Sequence, residues 1–369
     1  MVKKGYKQTE IGVIPEDWNI STLEMQYNIT SSKRVFQSEW RDSGVPFYRA
    51  REIAVMGEGV PAPKDLYISE KMYEQYSKQY GAIKENDVLI TGVGTLGKVY
   101  VVKKDDRFYF KDGNIIWLQW NGRYSSQFLK QLYRTPVLTD QVFGNAGGST
   151  VPTYTITNAK ATVVPCPAYQ EQCDIAEVLS DIDELIATIE KQISKKKAIK
   201  QGTMQELLTG KRRLPGFSGD WIKSNIGSCI IEKPSYGINA PAVDFNGFLP
   251  RYIRITDISK DGRYCKDAQA SVSAENVEPF LLKTNDIVLA RTGASVGKSY
   301  IYDEHDGRLV YAGFLIKMSI DPQKADSRFI FGVFHTYDYW KWVAQTSMRS
   351  GQPGINGEEY ASYEFRMPS

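Results

Sequence analysis

The residues most open to chemistry form the run Gly92-Val93-Gly94-Thr95-Leu96-Gly97-Lys98. It fits the dinucleotide turn G-x-G-x-x-G, and it fits the phosphate loop G-x-x-x-x-G-K as far as Val99, where that loop needs Ser or Thr for Mg²⁺. Both chemistries require a helix directly behind the glycines, so that its N-terminal amides face the phosphates. Val99-Tyr100-Val101-Val102 is β-branched and aromatic and reads as a strand. A second run, Ala294-Ser295-Val296-Gly297-Lys298, has Thr292 where the first glycine belongs. Both runs therefore read as tight hairpin turns.

No other catalytic pattern emerges. The sequence has no H-E-x-x-H, no G-x-S-x-G and no Pro-Pro dipeptide, which removes the Asn/Asp-Pro-Pro-aromatic tetrapeptide of amino-methyltransferases. The four cysteines (Cys166, Cys173, Cys229, Cys265) form no C-x-x-C pair, and the two histidines are His305 and His335. These spacings do not suit a zinc site, so reduced thiols are expected. What remains is basic and polar: Arg49, Arg51, Lys98, Lys111, Ser149 and Thr150, then Arg254, Arg291, Lys298, Arg349 and Gln352. Arginine and lysine beside Ser, Thr, Asn or Gln supply phosphate clamps and readers of base edges, so these are the candidate nucleic-acid contacts.

The elements that must position them occur twice. Pro15-Glu16-Asp17-Trp18 answers Phe217-Ser218-Gly219-Asp220-Trp221, and Pro46 to Ile53 answers Arg251 to Ile258. Ile83-Lys84-Glu85-Asn86-Asp87-Val88-Leu89 answers Leu282-Lys283-Thr284-Asn285-Asp286-Ile287-Val288 just ahead of the two glycine turns. Gly147 to Pro152 answers Ser350 to Pro353. Matches kept in one order at a period of roughly 200 residues indicate duplication, far beyond a solenoid repeat. Within a copy, short strands around each turn and helical spacing over Ser125 to Tyr133 and Ser327 to Tyr337 predict an α+β module.

Between the copies, Ile175, Leu179, Ile182, Ile186, Ile189 and Ile193 are spaced 4, 3, 4, 3, 4. This is the a/d seam of a coiled coil. Acidic residues (Glu171 to Glu184) precede lysines (Lys191 to Lys200), a polarity that would complement the helix macrodipole. Pro165 and Pro167 bound the helix on one side, Gly210 and Pro215 on the other. The expected architecture is two similar globular domains, 1–168 and 215–369, separated by a long coiled-coil-type helix in 169–214. Such a helix is poorly stable alone and calls for a partner helix.

Composition excludes little. Hydrophobic residues make up 42% and the net charge is +3, normal for a globular protein and compatible with a polyanionic partner. No apolar run reaches the ~18 residues of a membrane span, and Met1 to Tyr6 leads into no signal-type apolar stretch. A cytoplasmic address is expected.

The junction Pro167-Ala168-Tyr169-Gln170-Glu171-Gln172 into Ile175-Ala176-Glu177-Val178-Leu179, and the helix end Gln205-Glu206-Leu207-Leu208-Thr209-Gly210-Lys211-Arg212-Arg213-Leu214, resemble the central region of the specificity (S) subunit of Type I restriction–modification systems. The openings around Trp18 and Trp221 resemble the entries to that family's two target recognition domains. The resemblance implies that each domain reads one half of a bipartite double-stranded DNA target. It implies that the helix, about 60 Å long and so up to almost two turns of DNA, sets their separation and docks modification (methyltransferase) subunits. A restriction subunit would join the same complex. This chain would be non-catalytic and hold no cofactor, with S-adenosylmethionine, ATP and Mg belonging to the partner subunits. The family pairs the central helix with a second one near the C-terminus. The sequence ends at Ser369 without it, which makes a second S-type chain a candidate source. The competing expectation is an anti-restriction decoy that binds a modification subunit through the helix without reading DNA.

Overall fold

A computed structural model describes residues 3–111, 113–144, 152–267, 269–348 and 352–369. The chain divides into two compact units, Met1–Glu190 and Lys191–Ser369. The division falls inside the long helix, so each unit keeps part of it.

Unit 1 opens with the hairpin β1 (Tyr6–Thr9) and β2 (Gly12–Pro15). Strand β3 (Asn19–Thr22) then pairs antiparallel with β11 (Val163–Cys166), which ties the two ends of the module together. A short helix α1 (Leu23–Gln26) follows. The main sheet has the order β4 (Asn28–Thr30), β10 (Ile115–Gln119), β7 (Val88–Thr91), β8 (Val99–Val101). A second sheet has the order β6 (Tyr67–Ile68), β5 (Val45–Tyr48), β9 (Tyr109–Phe110), with β5 and β9 parallel. Helices α2 (Ala50–Gly57), α3 (Glu70–Tyr80), α4 (Ser126–Leu132), α5 (Pro136–Gly144) and α6 (Ile156–Ala161) complete it.

Unit 2 repeats this plan. β12 (Trp221–Asn225) pairs with β21 (Glu364–Pro368) at its ends. The main sheet runs β13 (Ser235–Tyr236), β20 (Leu315–Ser319), β17 (Asp286–Ala290), β18 (Ser299–Ile301). The second runs β14 (Ala242–Asp244), β16 (Ala270–Val272), β15 (Arg251–Ile253), β19 (Leu309–Tyr311), again with one parallel pair, β15 with β19. Helices α8 (Ser327–Val333), α9 (Tyr337–Thr346) and α10 (Gly357–Ser362) answer α4 to α6. Shared strand order, including the parallel pair, establishes the duplication at the level of topology. Among the described residues the copies differ where unit 1 carries the β1–β2 hairpin and inserts α3, and where unit 2 adds a strand.

The best sequence match has a local cause. Asn86 and Asn285 hold φ of 68° and 72°, a left-handed turn that asparagine tolerates better than most residues. The next residue, Asp87 or Asp286, is buried and accepts the amide of Lys84 at 3.0 Å or Lys283 at 2.8 Å. Each strand that follows, β7 or β17, is fully buried at the centre of its sheet. A buried Leu, Ile or Val there contributes roughly 1.5–3 kcal/mol. One expectation changes: the helical spacing over Ser327 to Tyr337 resolves into two helices, because Thr336 caps α9 by accepting the amide of Tyr339.

The long helix α7 spans Tyr169–Leu207, 39 residues. Its first turn carries Glu171, but its last turn carries no basic residue. Macrodipole effects fade within the terminal turn. The lysine block over Lys191 to Lys200 therefore does not serve the C-terminus as its position in the sequence suggested.

Candidate nucleic-acid interface

Each glycine turn is a hairpin locked by its own backbone. In unit 1 the amides of Thr91 and Gly97 reach the carbonyls of Lys98 (3.0 Å) and Thr91 (2.9 Å). The Thr91 hydroxyl also accepts the Lys98 amide at 3.0 Å and donates to the Thr95 carbonyl. In unit 2 the amides of Ala290 and Gly297 reach Lys298 (2.8 Å) and Ala290 (3.0 Å). A strand, β8 or β18, follows both turns, so no helix N-terminus stands behind the glycines to hold a phosphate.

The structure brings a second segment onto each turn. Tyr154 donates its amide to the Gly92 carbonyl at 2.9 Å, and Val93 bridges to Thr153. A Cβ at Gly92 would lie 2.5 Å from the Tyr154 carbonyl oxygen, so only glycine permits this approach. In unit 2 Gly293 donates to Pro353 at 3.0 Å, Ile355 donates to Arg291 at 2.9 Å, and Thr292 bridges to Gly354. Two repeats some 60 residues apart in sequence thus form one surface feature, present once per unit.

Around this feature the predicted residues have distinct roles. Arg49 caps α2, and its guanidinium makes two hydrogen bonds to buried Glu52, at 3.2 and 3.0 Å. Arg254 makes the same pair to buried Asp257, at 2.9 and 3.0 Å. Burial acts to raise the Glu52 pKa, but the hydrogen bonds from Arg49 hold it below the usual carboxylate range. Arg51 is exposed and meets both Glu52 (3.0 Å) and Asp65 (3.7 Å). Lys98 pairs with Glu58 at 2.7 Å, and Lys298 donates to the Ile258 carbonyl at 3.1 Å. Arg291 lies over the Tyr236 ring at 4.8 Å. Gln352 is exposed beside Gly293, and Lys111 follows β9 with its amide on the Tyr48 carbonyl at 2.8 Å. Ser149, Thr150 and Arg349 lie outside the described residues. The acids Glu52 and Asp257 went unremarked in the sequence, although acid three residues after a cap is a legible capping pattern.

The four cysteines are free, and no cluster of three or more His, Cys, Asp or Glu among the described residues could hold a metal. No described helix is long and apolar enough to cross a membrane. A family model, the Type I restriction modification DNA specificity domain, matches residues 15–200. The chain belongs to that family. A protein of Methanocaldococcus jannaschii designated the type I restriction enzyme MjaX specificity subunit is 26% identical over 259 residues, 66% of this chain and 60% of its own length. A specificity subunit so designated in Haemophilus influenzae is 28% identical over 159 residues, 42% of this chain and 38% of its own. The matches thus span between about two fifths and three fifths of these relatives. Among solved structures, the S subunit of a Type I restriction–modification system from M. genitalium shares the fold, with a TM-score of 0.59 at 13% identity over 95% of this chain and 85% of that one.

In this specificity-domain chain the central helix presents a wide apolar face. Leu179, Ile182, Ile186, Ile189 and Ile193 of the predicted seam are 40–51% exposed, and Ile175 alone is half-buried against the unit 1 core. A further line, Val178, Leu185 and Ile199, is also exposed, at 58%, 58% and 51%. Spacings of seven and fourteen place it at the g position of the same heptads, with Gln192 interrupting the line, which sequence reading missed by counting only a and d. An a/d/g stripe is broader than the seam of a two-stranded coiled coil.

Proposed function

We propose that this chain is the non-catalytic, sequence-reading subunit of a Type I restriction–modification complex, each unit reading one half of a bipartite double-stranded DNA target. The observation that carries this reading is the doubled turn-and-segment feature, flanked in both units by arginine and lysine. A pair of matched readers suits a target with two halves, and basic side chains beside polar ones suit phosphate and base contacts. Family membership supports the same role.

The helix is the proposed spacer and docking element. Its exposed a/d/g face fits more than one partner helix, supplied by modification subunits and by a second S-type helix; the restriction subunit would join that assembly. S-adenosylmethionine, ATP and Mg are assigned to those partners. Sequence-specific DNA binding is expected to appear, or tighten greatly, when an adenine methyltransferase subunit is added. A complex on this chain that methylates without sequence preference would contradict the reading.

The exposed face also favours a second reading, a decoy that captures a modification subunit without reading DNA. Strong partner binding with no footprint on any DNA would favour the decoy.

A further inference from the structure

We propose that unit 1 contains a phosphate-binding site in the cavity between its glycine turn and the α4–α5 helix pair, with Lys130, Lys98 and Arg134 as the binding cations. The cavity is about 300 Å³, and Gly57, Leu96, Tyr133 and Val142 are among its other walls. Lys130 is half-buried, and its side chain makes no ion pair at contact distance and no hydrogen bond among the described residues; the nearby Asp183 carboxylate is paired with Arg134 and acts on Lys130 only through space. An unpaired ammonium in such a place is costly, and an arriving anion would offset the cost. Burial, then the neighbouring Arg134, pull its pKa below the ordinary lysine value, and the attraction of Asp183 offsets this only in part.

The other two cations are held loosely. Lys98 pairs with Glu58 at 2.7 Å and Arg134 with Asp183, with all four side chains between 43% and 60% exposed. Exposed pairs of this kind are worth about 0–1 kcal/mol, so a phosphate can compete for both cations.

Unit 2 shows that the fold does not require the charges of Lys130 and Arg134. Aligning α4 with α8 places Phe331 at the position of Lys130, His335 at Arg134 and Trp340 at Thr139. There the Phe331 and His335 rings meet edge-on at 4.5 Å, and Trp340 packs so near Gly297 that a Cβ would lie 3.0 Å from its ring. The same helices close on the same hairpin with Phe331 and His335 in one unit and Lys130 and Arg134 in the other, while the turn lysine is common to both as Lys98 and Lys298. The helix cations Lys130 and Arg134 therefore answer a need peculiar to unit 1, and phosphate is the anion whose charge and size suit them together with the shared turn lysine on one cavity wall.

The phosphate can belong to the DNA backbone or to a free phosphate ester, and two titrations on the full chain separate these. In the first, inorganic phosphate is titrated calorimetrically at low ionic strength. Wild type should bind one phosphate, Lys130→Met should weaken it by roughly tenfold or more, and Lys130→Arg should retain it. Lys130→Met should also match or exceed wild type in melting temperature, since it removes a half-buried ammonium that makes no direct ion pair. Absence of phosphate binding by wild type, or equal binding by Lys130→Met, overturns the site. In the second, duplex DNA affinity is followed against salt, the only arm that rests on the function proposed above. A slope reduced by about 0.9 in Lys130→Met identifies a backbone phosphate. An unchanged slope beside lost phosphate binding identifies a free phosphate ester. A wild-type chain that binds phosphate but no DNA would count against the function alone.

Discussion

Arg49 and Glu52 are joined by three hydrogen bonds, one from the Arg49 amide at 2.9 Å and two from its guanidinium at 3.2 and 3.0 Å. Arg254 and Asp257 repeat the arrangement in unit 2, at 2.9, 2.9 and 3.0 Å. Each arginine is thus fixed in place by a buried acid rather than waving in solvent. Fixed orientation is what a side chain aimed at a base edge or a phosphate requires.

Arg49→Ala should therefore act twice. It strips a buried carboxylate of its main partner, which should destabilise unit 1 by about 1–3 kcal/mol in denaturant unfolding. In a complete complex it should relax sequence preference in one half of the target only, and Arg254→Ala in the other. Equal loss in both halves after a single substitution would argue against separate readers.

Lys98→Ala and Lys298→Ala should weaken DNA binding across all sequences and flatten its salt dependence, each by about one phosphate contact. Affinity measured between low and moderate salt on target and non-target duplexes checks this. A change in preference without a change in slope would contradict it.

Gly92→Ala should disrupt unit 1 without touching any charge. Its Cβ would lie 2.5 Å from a backbone oxygen of Tyr154, and backbone cannot swing aside as a side chain can. A loss of about 1–3 kcal/mol is expected, with weakened reading of one half of the target.

Unit 2 should lose stability in mild acid through His335. Burial lowers its pKa below the ordinary 6.5, so as pH falls the unfolded chain takes up the proton before the folded one does. The stability is complete above about pH 6.5 and lost as pH falls from there through the folded value. Unfolding curves at successive pH values should show this slope, and His335→Gln should remove it.

Ile186→Asp and Leu185→Asp lie on the exposed helix face, at 51% and 58% exposure, so the isolated chain should keep its melting temperature. Co-purification with a modification subunit should be lost. Unimpaired assembly by the double variant would remove the helix as the docking surface.

Much of this was legible in the sequence, for reasons tied to particular residues. The duplication showed because Asn86-Asp87 and Asn285-Asp286 fill a left-handed turn and a buried acceptor that few residue types can fill. The hairpin reading of the glycine runs followed from the β-branched residues after Lys98. Long-range pairings were not legible: nothing in Gly92 or Thr292 foretells that Tyr154 or Gly354 will lie against it, because that contact depends on chain return. The g-position line of the helix was present in the sequence but broken by Gln192 and hidden behind the stronger a/d signal. Nothing in the sequence sets Lys130 apart from other helix lysines, because its burial depends on how α4 packs against the glycine turn.

The most direct test of the central claim is to map methylated adenines genome-wide in a host carrying this chain with its modification subunit. The account predicts a bipartite motif, two short specified halves around an unspecified gap, with Arg254→Ala degenerating one half and leaving the other intact. Methylation at one continuous motif, or at adenines without sequence preference, would contradict it.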